Sequence, residues 1–337
     1  MFKSASILLL LLLLLLTPPI LTFFIPLPPL HTPTPLLSSP TDLLYSDQES
    51  ALVTQATLEG EFMKPPKPLH PLKPGAVKSG SGFGGGSGSA FRERGKAIEK
   101  VLKKDGVVRI NNVLSAEVCE KLRTFVLKEA EQRQKEVDSG TASTNDHFSS
   151  VLLRKNRCDL RLPLSPLVKS SLKILTDPSS DLGHLLHCTL GGIAPLQELA
   201  TMISYPGSTR QTAHPDTPYS PQTPLLTIFI ALQDVEKGMG PTTFLPGSFG
   251  KKKHEQFRED HDGFLRKAET VEAELGVGDC SCFDSRTIHL GGANESSEIR
   301  AMFYVSFKNP SYEYVGNPPS IKPELEGRFC IEDCGIL

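Results

Sequence analysis

With 337 residues, the chain is long enough for one substantial folded domain plus appendages. Its 36 basic and 38 acidic side chains leave a formal charge of −2, which gives no long-range attraction to polyanions, so no nucleic-acid partner is expected. Seven cysteines, an odd number, exclude a disulfide scaffold.

The chain opens with Lys3 and an apolar run from Ile7 to Leu16, interrupted by Thr17-Pro18-Pro19 and resumed from Ile20 to Ile25. That run is short for a bilayer-spanning helix and has the character of a secretory h-region. Residues 1–22 therefore read as a signal peptide or, if uncleaved, a signal anchor. Only the uncleaved form would make a membrane a partner. The expected location is the secretory pathway, in the ER lumen or outside the cell. Anchoring in the endomembrane system, or delivery to an organelle by that route, are the alternatives. Residues 23–90 follow as Pro-rich pieces and the Gly/Ser tract Ser79 to Ser89, a composition that predicts a disordered tether.

A folded domain is expected over 91–337. Residues 92–104 read as a helix and Gly106 to Ile110 as a strand. Ser115 is placed to cap a helix in which Val118, Leu122, Phe125 and Val126 share one face. His184 and His187 are three apart but have no acidic or cysteine partner in a matching motif, so a structural role is expected. Beyond Pro195 strands dominate: Leu226 to Leu232, Thr242 to Leu245, Cys280 to Phe283 and Met302 to Phe307. His254 and His261, among Lys251-Lys-Lys and Arg258-Glu-Asp260, read as a solvated loop. Cys280 and Cys282 fall on one strand face and read as packing residues. Cys330 and Cys334 are close enough in sequence to bridge in an oxidising lumen. No βαβ rhythm is present. The pattern predicts a mainly β fold with flanking helices, built on an antiparallel double-sheet barrel.

The chemistry is concentrated in two stretches. His214-Pro-Asp216 places an imidazole and a carboxylate two residues apart, on one side of an extended chain. Asp279-Cys-Ser-Cys-Phe-Asp-Ser-Arg-Thr-Ile-His289 supplies a second histidine, and Arg300 follows eleven residues later. Two histidines and one carboxylate leave the opposite face of a metal open, as non-haem Fe(II) requires to activate dioxygen. A His-x-Asp pair alone is weak, because nine histidines among 38 acidic residues produce such pairs by chance. The helical His-Glu-x-x-His of zinc hydrolases is absent from the sequence.

In order and spacing, these pieces resemble the phytanoyl-CoA dioxygenase family of Fe(II)/2-oxoglutarate oxygenases. The resemblance begins at Gly106-Val-Val-Arg-Ile-Asn-Asn-Val-Leu-Ser115. It continues through His214-Pro-Asp216, Ile230-Ala-Leu-Gln-Asp234 and Gly238-Met-Gly-Pro-Thr-Thr-Phe-Leu-Pro-Gly-Ser248, and ends with Phe283 to His289, Asn294 and Arg300. It implies a double-stranded β-helix, a jelly-roll and cupin-like core. It also implies His214, Asp216 and His289 as iron ligands, and Arg300 gripping the distal carboxylate of 2-oxoglutarate with its fork of donors. Gln211, three residues before His214, would touch cosubstrate.

The cofactors implied are Fe(II), 2-oxoglutarate and dioxygen, with ascorbate a further candidate. The reaction implied is hydroxylation of an unactivated C–H bond in a small-molecule or lipid-like substrate, with release of succinate and carbon dioxide. Asp216 bears on that outcome, since related halogenases carry a small residue there. The competing reading is a catalytically silent barrel that binds a ligand. Residues 141–163 and 218–224 are the expected recognition loops. Arg154, Lys155, Arg157 and Arg161 would there either meet an anionic group or form a solvated basic loop. Asn294-Glu-Ser296 is a glycosylation sequon, but it matches a loop near the site, and decoration is not expected.

Overall fold

The computed structural model describes residues 66–71, 88–150, 155–313 and 318–337. The expected leader over 1–22 and most of the expected linker over 23–90 lie outside them. The described strands form two sheets. The larger contains β2 (Val107–Ile110), β3 (Phe148–Ser149), β4 (Arg157–Arg161), β5 (Leu196–Ser204), β6 (Leu225–Ala231), β9 (Cys280–Asp284) and β11 (Arg300–Lys308), in the order β2-β9-β6-β11-β5-β4-β3. Each of its pairings is antiparallel. The smaller contains β1 (Lys67–Pro68), β7 (Thr242–Phe244), β8 (Val271–Glu272) and β10 (His289–Gly291), in the order β1-β8-β7-β10. The fold is the expected mainly β jelly roll with flanking helices.

Strand alternation assigns each face its role. On one face of the larger sheet, Leu199, Ile203, Ile228, Ile230, Phe303 and Val305 enter the largest core cluster. Helices α2 (Ala116–Asp138), α4 (Pro166–Thr176) and α5 (Asp181–Leu190) cover that face through Leu122, Val126, Leu172, Leu175, Leu182 and Leu186. Cys280 and Cys282 are fully buried there as packing residues. On the inner face, Ala231 and Met302 join Phe244 and Phe283, with Phe229 packed against them. This inner face lines the chamber between the sheets.

Helix boundaries follow their caps. Ser115 accepts from Val118 N at 3.3 Å and opens α2, as its sequence context predicts. The 92–104 helix is longer than expected: α1 runs Gly88–Asp105. The short α3 (Thr144–His147) precedes β3, and α8 (Ile331–Ile336) closes the chain. The stretch read as a solvated loop is instead α6 (Lys251–Glu259) and α7 (His261–Lys267). The alternative to a loop was legible in Asp260, whose side chain caps α7 by accepting from Gly263 N at 3.0 Å. Cys330 and Cys334 are free thiols, Cys330 at the N-cap of α8 and Cys334 on its buried side.

One part of the expected tether belongs to the domain. Lys67 N donates to Thr270 O at 3.0 Å and Leu69 N to Glu272 O at 2.7 Å, which adds β1 in parallel to the edge of the smaller sheet. Leu69 is buried among Val107, Phe244 and Leu275. Residues 66–71 are therefore not spacer, because a buried leucine and paired backbone outweigh the Lys/Pro composition around them. Leu69→Ala is expected to cost about 2 kcal/mol, and a chain starting at Phe91 to melt lower than one starting at residue 60. Equal melting temperatures would return this segment to the tether.

Candidate metal centre

Two backbone hydrogen bonds bring the histidines together. His214 N donates to His289 O and His289 N to His214 O, each at 2.9 Å, so the two residues face one another across an isolated bridge at the start of β10. Asp216 N then donates to Ser285 O at 2.9 Å, which returns the carboxylate toward the same point. The donor atoms of His214, Asp216 and His289 all lie within 4.8 Å of one another, and among the described residues they are the group of three or more such side chains suited to a metal ion. The same Asp216 Oδ1 is 3.9 Å from His214 Nε2 and 3.6 Å from His289 Nε2.

The second hydrogen bond of each ring fixes its tautomer. His214 Nδ1 donates to Thr212 O at 2.7 Å and His289 Nδ1 to Thr287 O at 2.9 Å. A carbonyl oxygen can only accept, so the ring proton sits on Nδ1 and each Nε2 presents a lone pair to the centre. Burial pushes both imidazoles down to about 4 and the Asp216 carboxyl up to about 6. At neutral pH the centre therefore holds two neutral imidazoles and a carboxylate, the donor set of a mononuclear non-haem iron site. Of these three groups only Asp216 takes a proton between pH 7 and pH 5, and protons compete with metal. Iron affinity of the apoprotein is expected to fall about tenfold over that interval, and competition titrations at the two pH values check it. A flat profile would contradict an Asp216 that titrates near 6.

Arg300, the first residue of β11, is buried and has no carboxylate partner among the described residues. Its Nη1 donates to Met239 O at 3.3 Å and its Nη2 to Ser204 Oγ at 2.9 Å, while its buried Nε has no acceptor. Burial, with a further push from Arg157, lowers its pKa to about 9. A buried guanidinium with a donor to spare is suited to an anion. Arg157 repeats the pattern. Read from sequence it belongs to a recognition loop; in the structure it lies on β4, in register with Ser204, itself paired with Arg300. Its Nη2 donates to Thr209 O and Gly292 O, both at 3.0 Å, its buried Nε and Nη1 have no acceptor, and burial lowers it to about 10. No motif marks it, because its role depends on which strand it pairs with.

Gln211 has a definite structural task. Its Oε1 accepts from Gly291 N at 3.0 Å, and its backbone N donates to Gly291 O at 2.8 Å. The close approach uses the missing side chain of Gly291: a Cβ would lie 2.5 Å from both Arg157 Nη1 and Gln211 Oε1, and one of those side-chain ends would have to shift.

Asp284 and Arg286 hold the loop that follows Asp216. Arg286 Nε and Nη2 make a fork onto Asp284 at 2.8 and 2.6 Å, while Nη1 donates to Ser220 O and Nη2 to Thr223 Oγ1 at 3.2 Å. His254 Nε2 donates to Arg286 O at 2.7 Å. The recognition loop expected over 218–224 is thus fastened to the turn that leads into His289.

Other candidates fall away. His184, on α5, packs edge-on to Phe91 with ring centroids 5.2 Å apart and lies 3.5 Å from Cys188 Sγ through Nε2, but among the described residues no third metal-ligating side chain joins that pair. Asn294 is fully buried, donates from Nδ2 to Ser204 O and Glu298 O at 2.9 and 2.8 Å, and is closed to a glycan. A surface cavity of about 640 Å³ between α6, α7 and residues 245–248 has none of the triad in its lining.

The family model described as phytanoyl-CoA dioxygenase matches residues 102–302. The dioxygenase aneA of Aspergillus aculeatus is 28% identical over 223 residues, which cover 62% of this chain and 70% of that protein. The crystal structure of AviO1 from Streptomyces viridochromogenes Tue57 shares the fold, with a TM-score of 0.50 at 16% identity over 65% of this chain and 97% of that one. The fold and donor set are those of a non-haem iron oxygenase. The chain belongs to the phytanoyl-CoA dioxygenase family.

Proposed function

We propose that the protein is an Fe(II)/2-oxoglutarate-dependent dioxygenase that hydroxylates an unactivated C–H bond of a small-molecule or lipid-like substrate, with release of succinate and carbon dioxide. The observation that carries this reading is the pairing of two forced Nε2 donors and Asp216 with a buried Arg300 that has no carboxylate partner. The residues present fit both an iron ion and a dicarboxylate. Bound together, iron, 2-oxoglutarate and dioxygen supply the oxidising power to break a C–H bond.

The remaining tasks fall to the chain. Thr212 and Thr287 hold the imidazoles in the ligating tautomer. Arg300 anchors one carboxylate of the cosubstrate, Arg157 adds a second buried positive charge at that end, and Gln211 contacts cosubstrate beside it. Phe229, Phe244, Phe283 and Met302 exclude water from the chamber. A silent ligand-binding barrel would have no use for this complete set. The proposed setting is the secretory pathway, from the character of residues 1–22.

A screen of metabolite pools for succinate formation tests the proposal. Iron- and 2-oxoglutarate-dependent succinate above the substrate-free background is expected from at least one pool. Succinate formation that persists without iron would sink the reading.

A further inference from the structure

The chamber is electrically lopsided along its length. Register across β4, β5, β11 and β6 stacks the inner-face residues in rungs. Arg157, Ser204 and Arg300 form the first; Asp159, Met202, Met302 and Ala231 the second. Arg161, Ala200, Tyr304 and Phe229 form the third; Glu198, Ser306 and Thr227 the fourth, with Lys308 and Leu225 beyond it. Six residues of β11 separate the first rung from the fourth, about 20 Å of strand. The first rung carries the orphan donors Arg157 Nε and Nη1 and Arg300 Nε. The fourth carries a carboxyl that the catalytic assignment leaves unused.

We propose that Glu198 is a specificity-determining residue, and that the substrate presents to it a hydroxyl or amine donor rather than a carboxylate, phosphate or CoA group. This rests on the oxygenase reading above. Glu198 is half-buried on the inner face of β5, opposite Ser306. Ser306 Oγ donates to its Oε2 and also lies 3.2 Å from Thr227 Oγ1, and the Ser320 backbone N–H donates to the same carboxyl. Two donors leave accepting positions open on a group with about four. The other charges that act on it are those of Asp216 and Asp159, both acidic.

Nearby cations are turned elsewhere. Arg161, one rung away, donates from Nε to Ser149 Oγ at 2.9 Å and from Nη1 to Asn145 O at 2.7 Å, across β3 and away from β5. Asp159 is already occupied by Tyr304 OH at 2.8 and 2.9 Å and by Ser320 Oγ. Burial raises the Glu198 carboxyl to about 8. In either protonation state it keeps an accepting oxygen, and an ammonium would find a counter-charge by displacing its proton. Lys308, the next inner-face residue of β11, is turned to Tyr312 O at 3.2 Å, so an incoming anion would meet the acidic groups that act on Glu198 and, among the described residues, no cation directed at it. The anionic cosubstrate and the donor-bearing substrate are thus sorted to opposite ends of one barrel.

Three probes of one shape test this: 2-phenylethanol, 2-phenylethylamine and phenylacetate, whose ring suits the wall formed by Phe229 and Tyr304. Dissociation constants are read anaerobically from the shift each probe causes in the visible Fe(II)–2-oxoglutarate band of the whole protein. The alcohol and the amine are expected to bind the wild type about tenfold more tightly than the acid, the worth of one hydrogen bond at the upper end of its usual range. Glu198→Leu should bring all three probes within about threefold of one another. Glu198→Gln keeps the Ser306 contact, should fold in any case, and should lose the amine's advantage. The band itself should form in all three proteins. Phenylacetate binding the wild type as well as its partners, no probe shifting the band, or a preference unchanged in the variants would each overturn the proposal. Absence of the band from the wild type would instead count against the oxygenase reading.

Discussion

Replacing His214, Asp216 or His289 by alanine is expected to abolish turnover and to weaken iron binding on the order of 100-fold or more, since loss of a group that merely orients a ligand already costs 10–100-fold. The structural consequences differ among the three. His214 and Asp216 line the chamber, with side chains 28% and 32% exposed, so truncation there leaves the core intact. His289 is 5% exposed, and its ring packs 4.9 Å from Phe283 and 5.7 Å from Phe244. His289→Ala therefore also opens a cavity and should melt lower, at a cost of about 2–4 kcal/mol. The backbone bridge between His214 and His289 needs neither side chain and survives all three substitutions. Iron content after anaerobic loading, read beside melting temperature, separates lost coordination from lost packing. Wild-type turnover in any of the three variants would remove that residue from the triad.

The second large effect is expected at Arg300. Arg300→Lys keeps a positive charge but loses the fork that now reaches Met239 O and Ser204 Oγ while leaving Nε to spare. Losing one charge-assisted hydrogen bond costs about 1.5–3 kcal/mol, so the apparent requirement for 2-oxoglutarate should rise roughly 10- to 100-fold. Iron affinity measured without cosubstrate should stay near wild type, because Arg300 takes no part in the hydrogen bonds of His214, Asp216 or His289. An unchanged cosubstrate requirement, or an equal loss in both, would remove Arg300 from the site.

The triad was legible in the sequence because its members sit in short motifs whose spacing survives folding. His214-Pro-Asp216 carries its own geometry, and His289 and Arg300 lie on either side of one short connection. The barrel strands were legible for a related reason: runs such as Leu226 to Leu232 are buried on both faces and read as continuous β-formers. What escaped depends on partners remote in sequence. Arg157 looks like one basic residue among several until β4 pairs with β5 and aims it at the chamber. Glu198 is an unremarked acid until register sets it beside Ser306. The Lys/Pro composition around Leu69 hid the one side chain that docks that segment. The helices over 251–267 were hidden by their charge, since a polar surface helix and a solvated loop have similar composition. Their boundary signal at Asp260 was the stronger guide.

The central claim is that His214, Asp216 and His289 hold iron in the presence of a 2-oxoglutarate gripped by Arg300. Anaerobic titration of Fe(II) into the apoprotein with 2-oxoglutarate tests it most directly. A weak visible charge-transfer band is expected to saturate at one iron per chain in the wild type, to require 2-oxoglutarate, and to be missing from Asp216→Ala. A wild-type protein that shows no band, or an Asp216→Ala variant that shows the full band, would contradict the account.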